Sequence, residues 1–338
     1  MIYPNFLKEN DTIGITSPSD GITKKEKIYR LNNAIKKFDE LGFKIKETKN
    51  VRTSIKGSST SAKERALQVH ELFLDNNIKT IFCSSGGDFL LEILTYIDLD
   101  IIKNNPKWIQ GFSDPTGLLY VITTNLDIAT IYGDNFISFG MNTWHKSLIN
   151  NIEILKGNII SQHSFFKYEK EYTNYIIGDE IYNLTEKVIW EVLNNNREDV
   201  IIKGRMIGGC IDILNDLFGT RFDNTKNFIS KYKKDGIIWY FDNCEMSSEQ
   251  LIRTLWKFRD NDYFKYTNGI IFGRSAVEKS YYDISFKEAL LHVLSDLNIP
   301  IIIQADIGHV YPRMTIINGA IATISVKNNK GIINFNLK

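Results

Sequence analysis

The sequence predicts an α/β protein, with a parallel sheet in its N-terminal half and a second α/β unit in its C-terminal half. In the first half, short runs rich in β-branched residues alternate with longer segments whose apolar residues recur at helical spacing. Such regular alternation is typical of a parallel sheet covered by helices on both faces. A chain of 338 residues, 43% of them hydrophobic, is long enough to form two such domains.

The charge of the chain is balanced, which argues against nucleic acid and membrane partners. The sequence has 41 Lys and Arg residues against 40 Asp and Glu residues, a formal net charge of +1. Binding to nucleic acid or to an anionic membrane through charge requires a basic surface, so we expect neither partner. The N-terminal stretch MIYPNFLKENDTIGI lacks the regions of a signal peptide, and no run of about 18 apolar residues occurs.

Cysteine and histidine usage favours a reduced compartment and gives no metal-binding motif. The three cysteines, Cys83, Cys210 and Cys244, are an odd number and form no CxxC pair. The five histidines form no HExxH motif and no cluster with cysteines along the sequence. We therefore expect a cytoplasmic protein without a metal site.

The helices predicted in the first half have recognisable ends. In KKEKIYRLNNAIKKFDELGF, apolar residues recur at helical spacing, and Gly42 stands where a helix C-cap is expected. In SAKERALQVHELFLDNN, Ser61 and Glu64 have the spacing of a capping box. The other predicted helices are FLLEILTYID and GLLYVITTNL. The predicted strands are the start of DTIGITSPSDG, FKIKETKN, IKTIFCSS, KWIQGFS and IATIYG.

The domain organisation is predicted in three parts. Residues 1–150 form an N-terminal α/β domain, and residues 151–203, with mixed patterning, form a connecting segment. Residues 204–338 form a second α/β domain that opens with a helix in GRMIGGCIDILNDLFG. Its further predicted elements are the strands GIIWYFDN, NGIIFGRS, IPIIIQADI, AIATISV and GIINFNL and the helices SSEQLIRTLWKFRD and SFKEALLHVLSDLN.

The segment GFSDP joins a predicted strand to a predicted helix. Gly111 permits a tight turn, Pro115 suits the first helical position, and Asp114 is then placed as the N-cap. Ser113 would project from this turn, as a nucleophile does in a strand-to-helix elbow, although Pro115 replaces the second glycine of G-x-S-x-G. From these residues alone, a capping turn and a turn that displays a nucleophile both remain open.

A pair of glycines follows the predicted strand IKTIFC. Gly86 and Gly87 also precede a predicted helix, so their N–H groups can point into the crevice beyond the carboxyl ends of the strands. The pair belongs to neither a Walker loop nor a GxGxxG motif. It is therefore either a cradle for an oxyanion or phosphate, or a plain turn.

Two further candidate sites lie at strand ends in the C-terminal half. His309 follows the apolar strand IPIIIQADI, and a histidine in such a loop suits catalysis better than one inside a helix. Asp242 and Glu245 follow GIIWYF, where either carboxylate can orient a histidine as the third member of a triad. The alternatives are an ordinary loop histidine and an acid that caps the next helix.

Taken together in this order, the motifs resemble one family of serine peptidases. This family comprises the LD-carboxypeptidases (muramoyltetrapeptide carboxypeptidases) and the microcin C immunity peptidases. The resemblance extends from about Leu7 to Val326. The segments that carry it are LKENDTIGITSPSD, SSGGDFLLEIL, GFSDPT, GRMIGGCIDIL, WYFDNCEM, NGIIFGRS and ADIGHVYPRMTIINGAIATI.

The resemblance implies a fold and a set of catalytic residues. The expected fold has an N-terminal Rossmann-like or flavodoxin-like domain and a C-terminal α/β domain with a small barrel-like sheet. The serine of the family's G-[FY]-S-D turn matches Ser113, and the histidine of its G-H-x-x-P turn matches His309. The family's oxyanion donors are backbone N–H groups that match Gly86 or Gly87 and Asp114.

At two positions this sequence departs from the family. The family's acid is a glutamate, matched here by Asp242, whose side chain reaches about 1.5 Å less far. Aspartate serves in other triads, and Glu245 is the alternative acid. Cys210 replaces an asparagine of the family's G-G-N segment, which puts a substrate contact in question. We do not expect Cys210 to be a rival nucleophile, because no histidine lies near it in the sequence.

The resemblance implies a cytoplasmic, dimeric serine carboxypeptidase without metal or organic cofactor, with a small peptide or peptide conjugate as its substrate. The preferred reaction is hydrolysis of an L,D-peptide bond in a muropeptide-like molecule. One alternative is a microcin-immunity-type peptidase that cleaves an aminoacyl–nucleotide conjugate, with Trp190 or a nearby tyrosine as a platform for the base. Simple packing is the alternative role for Trp190. A non-catalytic binding member and a nucleotide-recycling enzyme with phosphate at Gly86 and Gly87 also remain open.

Overall fold

The computed structural model describes residues 1–170, 181–193 and 199–337. Its strands are β1 (Thr12–Thr16), β2 (Lys44–Glu47), β3 (Ile78–Cys83), β4 (Trp108–Gly111), β5 (Thr130–Tyr132), β6 (Gln162–His163), β7 (Lys167–Tyr168), β8 (Glu186–Lys187), β9 (Glu191–Leu193), β10 (Val200–Cys210), β11 (Ile237–Asp242), β12 (Thr267–Gly273), β13 (Ile301–Ala305), β14 (Ile316–Asn318), β15 (Ile321–Lys327) and β16 (Lys330–Asn336). Its α-helices are α1 (Lys25–Glu40), α2 (Ala62–Leu74), α3 (Leu99–Asn104), α4 (Thr116–Leu126), α5 (Lys146–Leu155), α6 (Ile211–Leu217), α7 (Thr225–Lys231), α8 (Ser248–Asp260) and α9 (Phe286–Leu294). Its 3₁₀ segments are Lys49–Arg52, Leu90–Thr95, Phe136–Gly140 and Ser295–Leu297.

The chain forms two compact units, neither of which is continuous in sequence. The first unit contains Met1–Ile160, residues 181–183 and Thr315–Gly319. The second contains Ser161–Lys170 and the described residues of Leu184–Met314 and Ala320–Lys338. The predicted domain boundaries near residues 150 and 203 stay predictions, and part of the predicted connecting segment lies outside the described residues. Among the described helices, none has the length and apolar character needed to cross a membrane.

A six-stranded sheet forms the framework of the first unit. Its strands lie in the order β14-β5-β4-β3-β1-β2. All pairings among β1 to β5 are parallel, whereas β14 runs antiparallel to β5. The order 2-1-3-4-5 of the parallel strands is that of flavodoxin-like folds. The parallel sheet predicted for the N-terminal half is confirmed.

The central strand β3 shows why these residues form such a sheet. Every residue of β3 except Lys79 is buried, because a central parallel strand is covered by helices on both faces. The ring of Phe82 packs against Phe38 of α1 and against Phe136, with centroids 5.9 and 5.6 Å apart. The aromatic packing anchors the carboxyl end of β3, where the loop with the two glycines begins.

The predicted helix ends of the first unit are confirmed in part. Gly42 follows α1 with φ +84°, and the Ser61 hydroxyl accepts the N–H of Glu64 at 3.3 Å. The helix predicted over FLLEILTYID is wrong, because Leu90–Thr95 is a 3₁₀ segment. A new helix, α3, starts after Asp98, whose side chain accepts the first N–H groups of that helix.

The second unit is built on an eight-stranded mixed sheet. Its strands lie in the order β6-β16-β15-β10-β11-β12-β13-β9. Strands β10 to β13 pair in parallel, and the flanking pairs are antiparallel. Strands β7 and β8 form a separate antiparallel pair. The α/β character predicted for the C-terminal half is confirmed. The described pairings leave β6 and β9 at the edges, and the barrel-like detail stays a prediction.

Strand β10 has no counterpart among the predicted strands. GRMIGGCIDILNDLFG was expected to contain a helix, and α6 forms in its second half from Ile211, but its first half belongs to β10. The preceding glycines weaken the strand signal, since glycine has low strand propensity. Gly208 is nevertheless required by the pairing, because a Cβ there would lie 1.8 Å from the Tyr240 carbonyl oxygen of β11.

Candidate active site

The candidate residues of the first unit lie beyond the carboxyl ends of β3 and β4. The loop with Gly86 and Gly87 follows β3, and the turn with Ser113 follows β4. In flavodoxin-like sheets, ligands bind beyond the carboxyl ends of the strands, near the point where the strand order reverses. The fold therefore places both predicted motifs at the edge where a ligand is expected.

Ser113 occupies a strained turn between β4 and α4. Its φ is +69°, a left-handed conformation that few residues other than glycine adopt. Its carbonyl oxygen accepts the N–H of Thr116 at 2.9 Å, so the turn leads directly into the helix. A serine held at positive φ between a strand and a helix is the geometry of a nucleophile elbow.

The glycine loop lies against this serine. A Cβ added at Gly86 would be 3.2 Å from the Ser113 Cβ and 3.3 Å from its Oγ. At Gly87, an added Cβ would lie 2.3 Å from the Ser19 Oγ. The contact at Gly87 leaves no room for a side chain, and the approach of Gly86 brings the backbone of this loop next to the Ser113 hydroxyl.

Asp114 connects the serine turn to its surroundings, but it does not cap the helix. The residue at the N-cap of α4 is Pro115, so the predicted cap at Asp114 is wrong. The Asp114 carboxylate is buried and accepts hydrogen bonds from the Ser19 hydroxyl and from the N–H of Leu90, the latter at 2.9 Å. Burial raises the pKa of Asp114, although both hydrogen bonds act in the opposite direction. Ser19 was not among the predicted site residues, because its partner is 95 residues away.

In the second unit, the structure brings Asp242 and His309 together. Asp242 ends β11, and His309 lies in the loop after β13. One carboxylate oxygen is 2.6 Å from the His309 Nδ1, and the other accepts the His309 backbone N–H at 3.1 Å. Gly308 makes room for this contact, because a Cβ there would lie 1.9 Å from the Asp242 Oδ1. Both the ring and the backbone of His309 are thus held by one buried carboxylate.

The electrostatic setting of His309 favours its charged form. Burial is the largest influence and lowers the pKa of the imidazole, but the charge and hydrogen bond of Asp242, helped by Cys244, outweigh it. Together they raise the pKa of His309 to about 10. The imidazole is therefore held by a strong, charge-assisted hydrogen bond.

Glu245, the alternative acid, is not the partner of this histidine's Nδ1. The residue is exposed, and its backbone N–H donates to the Asp212 Oδ1 at 3.1 Å. Asp212 also accepts the N–H of Cys244 at 3.0 Å, and so holds the turn after β11 in place. Asp212 was not among the predicted site residues, since only the fold brings it to this turn.

Cys210 lies beside the Asp242–His309 pair. It pairs with Asp242 in the register of β10 and β11, and its Sγ is 3.3 Å from the Asp212 Oδ2. Burial, followed by the charges of Asp242 and Asp212, raises the pKa of the Cys210 thiol well above its ordinary value. A thiol that stays protonated is a poor nucleophile, and Cys210 was not expected to act as one. The substrate contact suggested for this residue stays a prediction.

Trp190 does not fit the predicted aromatic platform. Its side chain is fully buried, and its Nε1–H donates to the Asp306 Oδ2 at 3.0 Å. A Cβ at Gly331 would lie 2.0 Å from the indole ring, so the ring is closely packed. A ring without an exposed face cannot stack on a nucleobase, which corrects the substrate-binding role suggested for this residue.

The fold and these two groups of residues define a class of protein. A serine at a strand-to-helix elbow and a histidine held by a buried aspartate are the components of a serine hydrolase. Residues 13–133 match the LD-carboxypeptidase N-terminal domain, and residues 203–324 match the LD-carboxypeptidase C-terminal domain. The chain therefore belongs to the LD-carboxypeptidase family and is a serine peptidase.

Similar proteins extend over nearly the whole chain. The microcin C7 self-immunity protein MccF of Escherichia coli is 27% identical, over 95% of this chain and 92% of its own. The probable murein peptide carboxypeptidase of Bacillus subtilis is 22% identical, over 98% and 93%. A solved structure of a single-site mutant of MccF in complex with adenosine monophosphate has a TM-score of 0.83, with 25% identity and 99% of both chains covered.

Proposed function

We propose that this peptidase is a carboxypeptidase with a Ser113–His309–Asp242 triad, and that it hydrolyses an L,D-peptide bond in a muropeptide-like substrate. The observation that supports the triad best is the contact of the Asp242 carboxylate with both the Nδ1 and the backbone N–H of His309. This contact fixes the imidazole tautomer that leaves Nε2 available as a base.

In the proposed reaction, Ser113 attacks the carbonyl carbon of the scissile amide while the His309 Nε2 accepts the hydroxyl proton. Asp242 stabilises the imidazolium that forms. The imidazolium then protonates the leaving amine, and a water molecule activated by the same histidine hydrolyses the acyl-enzyme. The first product leaves as a free amino acid, as expected for a carboxypeptidase.

The oxyanion of the tetrahedral intermediate needs hydrogen-bond donors near Ser113. We assign this role to the backbone N–H groups of Asp114 and of Gly86 or Gly87. The close approach of Gly86 to the Ser113 side chain supports the assignment. A donor of this kind contributes about 3–4 kcal/mol to transition-state stabilisation.

The proposed substrate rests on the relatives of this chain. One relative is named a probable murein peptide carboxypeptidase, and the chain belongs to the LD-carboxypeptidase family. We therefore propose a peptide that ends in a D-amino acid, such as a muropeptide from wall recycling. We further propose a homodimer in the cytoplasm; the three cysteines, none of which forms a disulfide, fit a reducing compartment.

The test is hydrolysis of an L,D-tetrapeptide together with labelling by a serine-reactive fluorophosphonate. Wild-type protein should release the terminal D-amino acid and take up the label, and Ser113→Ala should do neither. Ser58→Ala, a half-buried serine of the same unit, is the matched control and should retain both. A label that persists in Ser113→Ala would refute the assignment of the nucleophile. Wild-type protein that takes up no label would favour a non-catalytic binding member.

The second candidate substrate is an aminoacyl–nucleotide conjugate. It is favoured by the relative MccF, a microcin self-immunity protein that has been solved with adenosine monophosphate. Competition between an L,D-tetrapeptide and an aminoacyl sulfamoyl adenosine for the same protein distinguishes the two. A higher kcat/KM for the conjugate would overturn the muropeptide assignment and leave the triad intact.

A further inference from the structure

Three side chains of the second unit that can bind a metal lie close together. Serine catalysis does not require all three of them. The Cys210 Sγ, a carboxylate oxygen of Asp242 and a ring nitrogen of His309 all lie within 4.8 Å of one another. Cys210 and Asp242 are buried, and 18% of the His309 side chain is exposed. The three residues are far apart in the sequence, which is why cysteine and histidine spacing gave no sign of them.

The fold holds these three groups in place independently of any ligand. Cys210 and Asp242 are direct partners in the register of β10 and β11, so their side chains leave the sheet at the same level. Asp242 in turn holds His309. Asp212 accepts the Cys210 thiol proton at 3.3 Å and fixes the turn at Cys244.

The chemistry of the three groups matches zinc and its soft relatives. Thiolate, imidazole and carboxylate are the ordinary zinc ligands, with bonds of about 2.0–2.3 Å. In a tetrahedral site of that size the ligand atoms are roughly 3.5 Å apart, whereas the three ligand atoms here lie within 4.8 Å of one another and the Asp242 Oδ2 is 2.6 Å from the His309 Nδ1. Binding therefore requires the hydrogen bond between Asp242 and His309 to open while the cluster closes around the metal. Three protein ligands leave a fourth position for water, which is the arrangement of an open zinc site.

We propose that Cys210, Asp242 and His309 form a binding site for a thiophilic divalent cation such as Zn²⁺, and that the bound cation inhibits the peptidase. On binding, the Cys210 thiol and the charged His309 imidazole each lose a proton to solvent, and the metal forms bonds to the sulfur and to the ring nitrogen that has lost its proton. An imidazole bound in this way can no longer carry a proton between Ser113 and the leaving amine. The binding step is independent of the proposed triad, and the inhibition rests on it.

Cys210 is the residue that distinguishes this site from an ordinary acid–histidine pair. Asp242 and His309 alone supply two ligands, too few for a stable zinc site. The asparagine expected at this position from the family resemblance offers no thiolate. The cysteine at this position, which put a substrate contact in question, therefore supplies the third ligand of the proposed site.

The experiment uses Co²⁺ as a spectroscopic substitute for Zn²⁺ on the full-length, chelator-treated protein. We expect one equivalent to bind, with a thiolate-to-metal charge-transfer band in the near ultraviolet and the visible bands of tetrahedral Co²⁺. Cys210→Ser should lose the charge-transfer band and bind at least about 100-fold more weakly. Cys83→Ala, which removes a buried cysteine of the first unit, should keep the band.

Two further measurements separate this inference from the proposed function. Ser113→Ala should bind Co²⁺ as the wild type does, whether or not the wild type hydrolyses peptides. In active wild-type protein, Zn²⁺ should inhibit at the concentrations at which it binds, and Cys210→Ser should be less sensitive relative to its own metal-free rate. A missing charge-transfer band, or a band that survives Cys210→Ser, would overturn the proposed site. Metal binding without effect on hydrolysis would overturn the inhibition.

Discussion

The Asp242 carboxylate contacts His309 twice, at 2.6 Å from the ring Nδ1 and at 3.1 Å from the backbone N–H. Aspartate is shorter than the glutamate expected from the family resemblance, and the missing reach is supplied by the backbone. Gly308, at φ +92°, has no Cβ to block the carboxylate. The loop of His309 can therefore approach the end of β11 closely enough for the shorter acid to bind.

Asp242→Asn should impair catalysis far more than folding. An asparagine keeps the shape of the side chain but no longer stabilises the imidazolium or fixes its tautomer, so kcat should fall about 10⁴-fold. Steady-state kinetics on an L,D-tetrapeptide measure this loss, and circular dichroism verifies the fold. Glu245→Gln is the matched control, since its residue is exposed, and it should retain wild-type kcat. Equal losses in both variants would contradict the assignment of the acid.

The metal-free enzyme should gain activity as the pH rises. His309 acts as a base only when it is deprotonated, and its surroundings raise its pKa from an ordinary 6.5 to about 10. In a plot against pH, kcat/KM reports the free enzyme, and its rise should therefore occur well above pH 6.5. In Asp242→Asn, the rise should move toward lower pH, because the negative charge is gone. A rise at the ordinary histidine value in the wild type would contradict this electrostatic picture.

Gly308→Ala should displace the acid from the histidine. The new Cβ would fall 1.9 Å from the Asp242 Oδ1, and alanine also pays about 1–2 kcal/mol for the left-handed backbone. Gly219→Ala is the matched control, because Gly219 has φ +86° but no atom of the described residues within 4 Å of the added Cβ. Both variants should melt at lower temperature, and only Gly308→Ala should lose most of its kcat. If the two variants have similar kcat values, Gly308 is needed only for its backbone conformation and not for the contact between Asp242 and His309.

Local sequence patterns predicted the elements that depend on interactions between residues close together in the sequence. The spacing of apolar residues predicted α1, and the capping residue Ser61 and the glycine after α1 stand where they were expected. Strand β10 was not predicted, because its glycines are required by close contact with the neighbouring strand β11. No local sequence pattern records such a contact.

The candidate site shows the same limit. Ser113 and His309 were predicted from their turns and from the family resemblance, and their catalytic roles stay predictions. The choice between Asp242 and Glu245 could not be made, because it depends on how closely two loops approach. A metal site at Cys210, Asp242 and His309 was not expected from sequence spacing, because Cys210 and Asp242 come together only through strand register.

Ser19→Ala should destabilise the serine turn, and the loss should grow with pH. The substitution removes one of the two hydrogen bonds described for the buried Asp114 carboxylate, at an expected cost of about 1–3 kcal/mol. The pKa of Asp114 is already raised by burial, so the folded state binds its proton more tightly than the unfolded state. Stability from this group therefore falls as the pH rises, and the loss of Ser19 should steepen that fall.

Thermal melts of the wild type and Ser19→Ala across the acidic range measure this effect. Ser54→Ala is the matched control, because Ser54 makes a similar hydrogen bond, at 2.5 Å, to the partly exposed Asp20. Water can replace that bond, so Ser54→Ala should change the melting temperature little at any pH. If the two variants lose the same stability with the same pH dependence, burial of Asp114 does not control the serine turn.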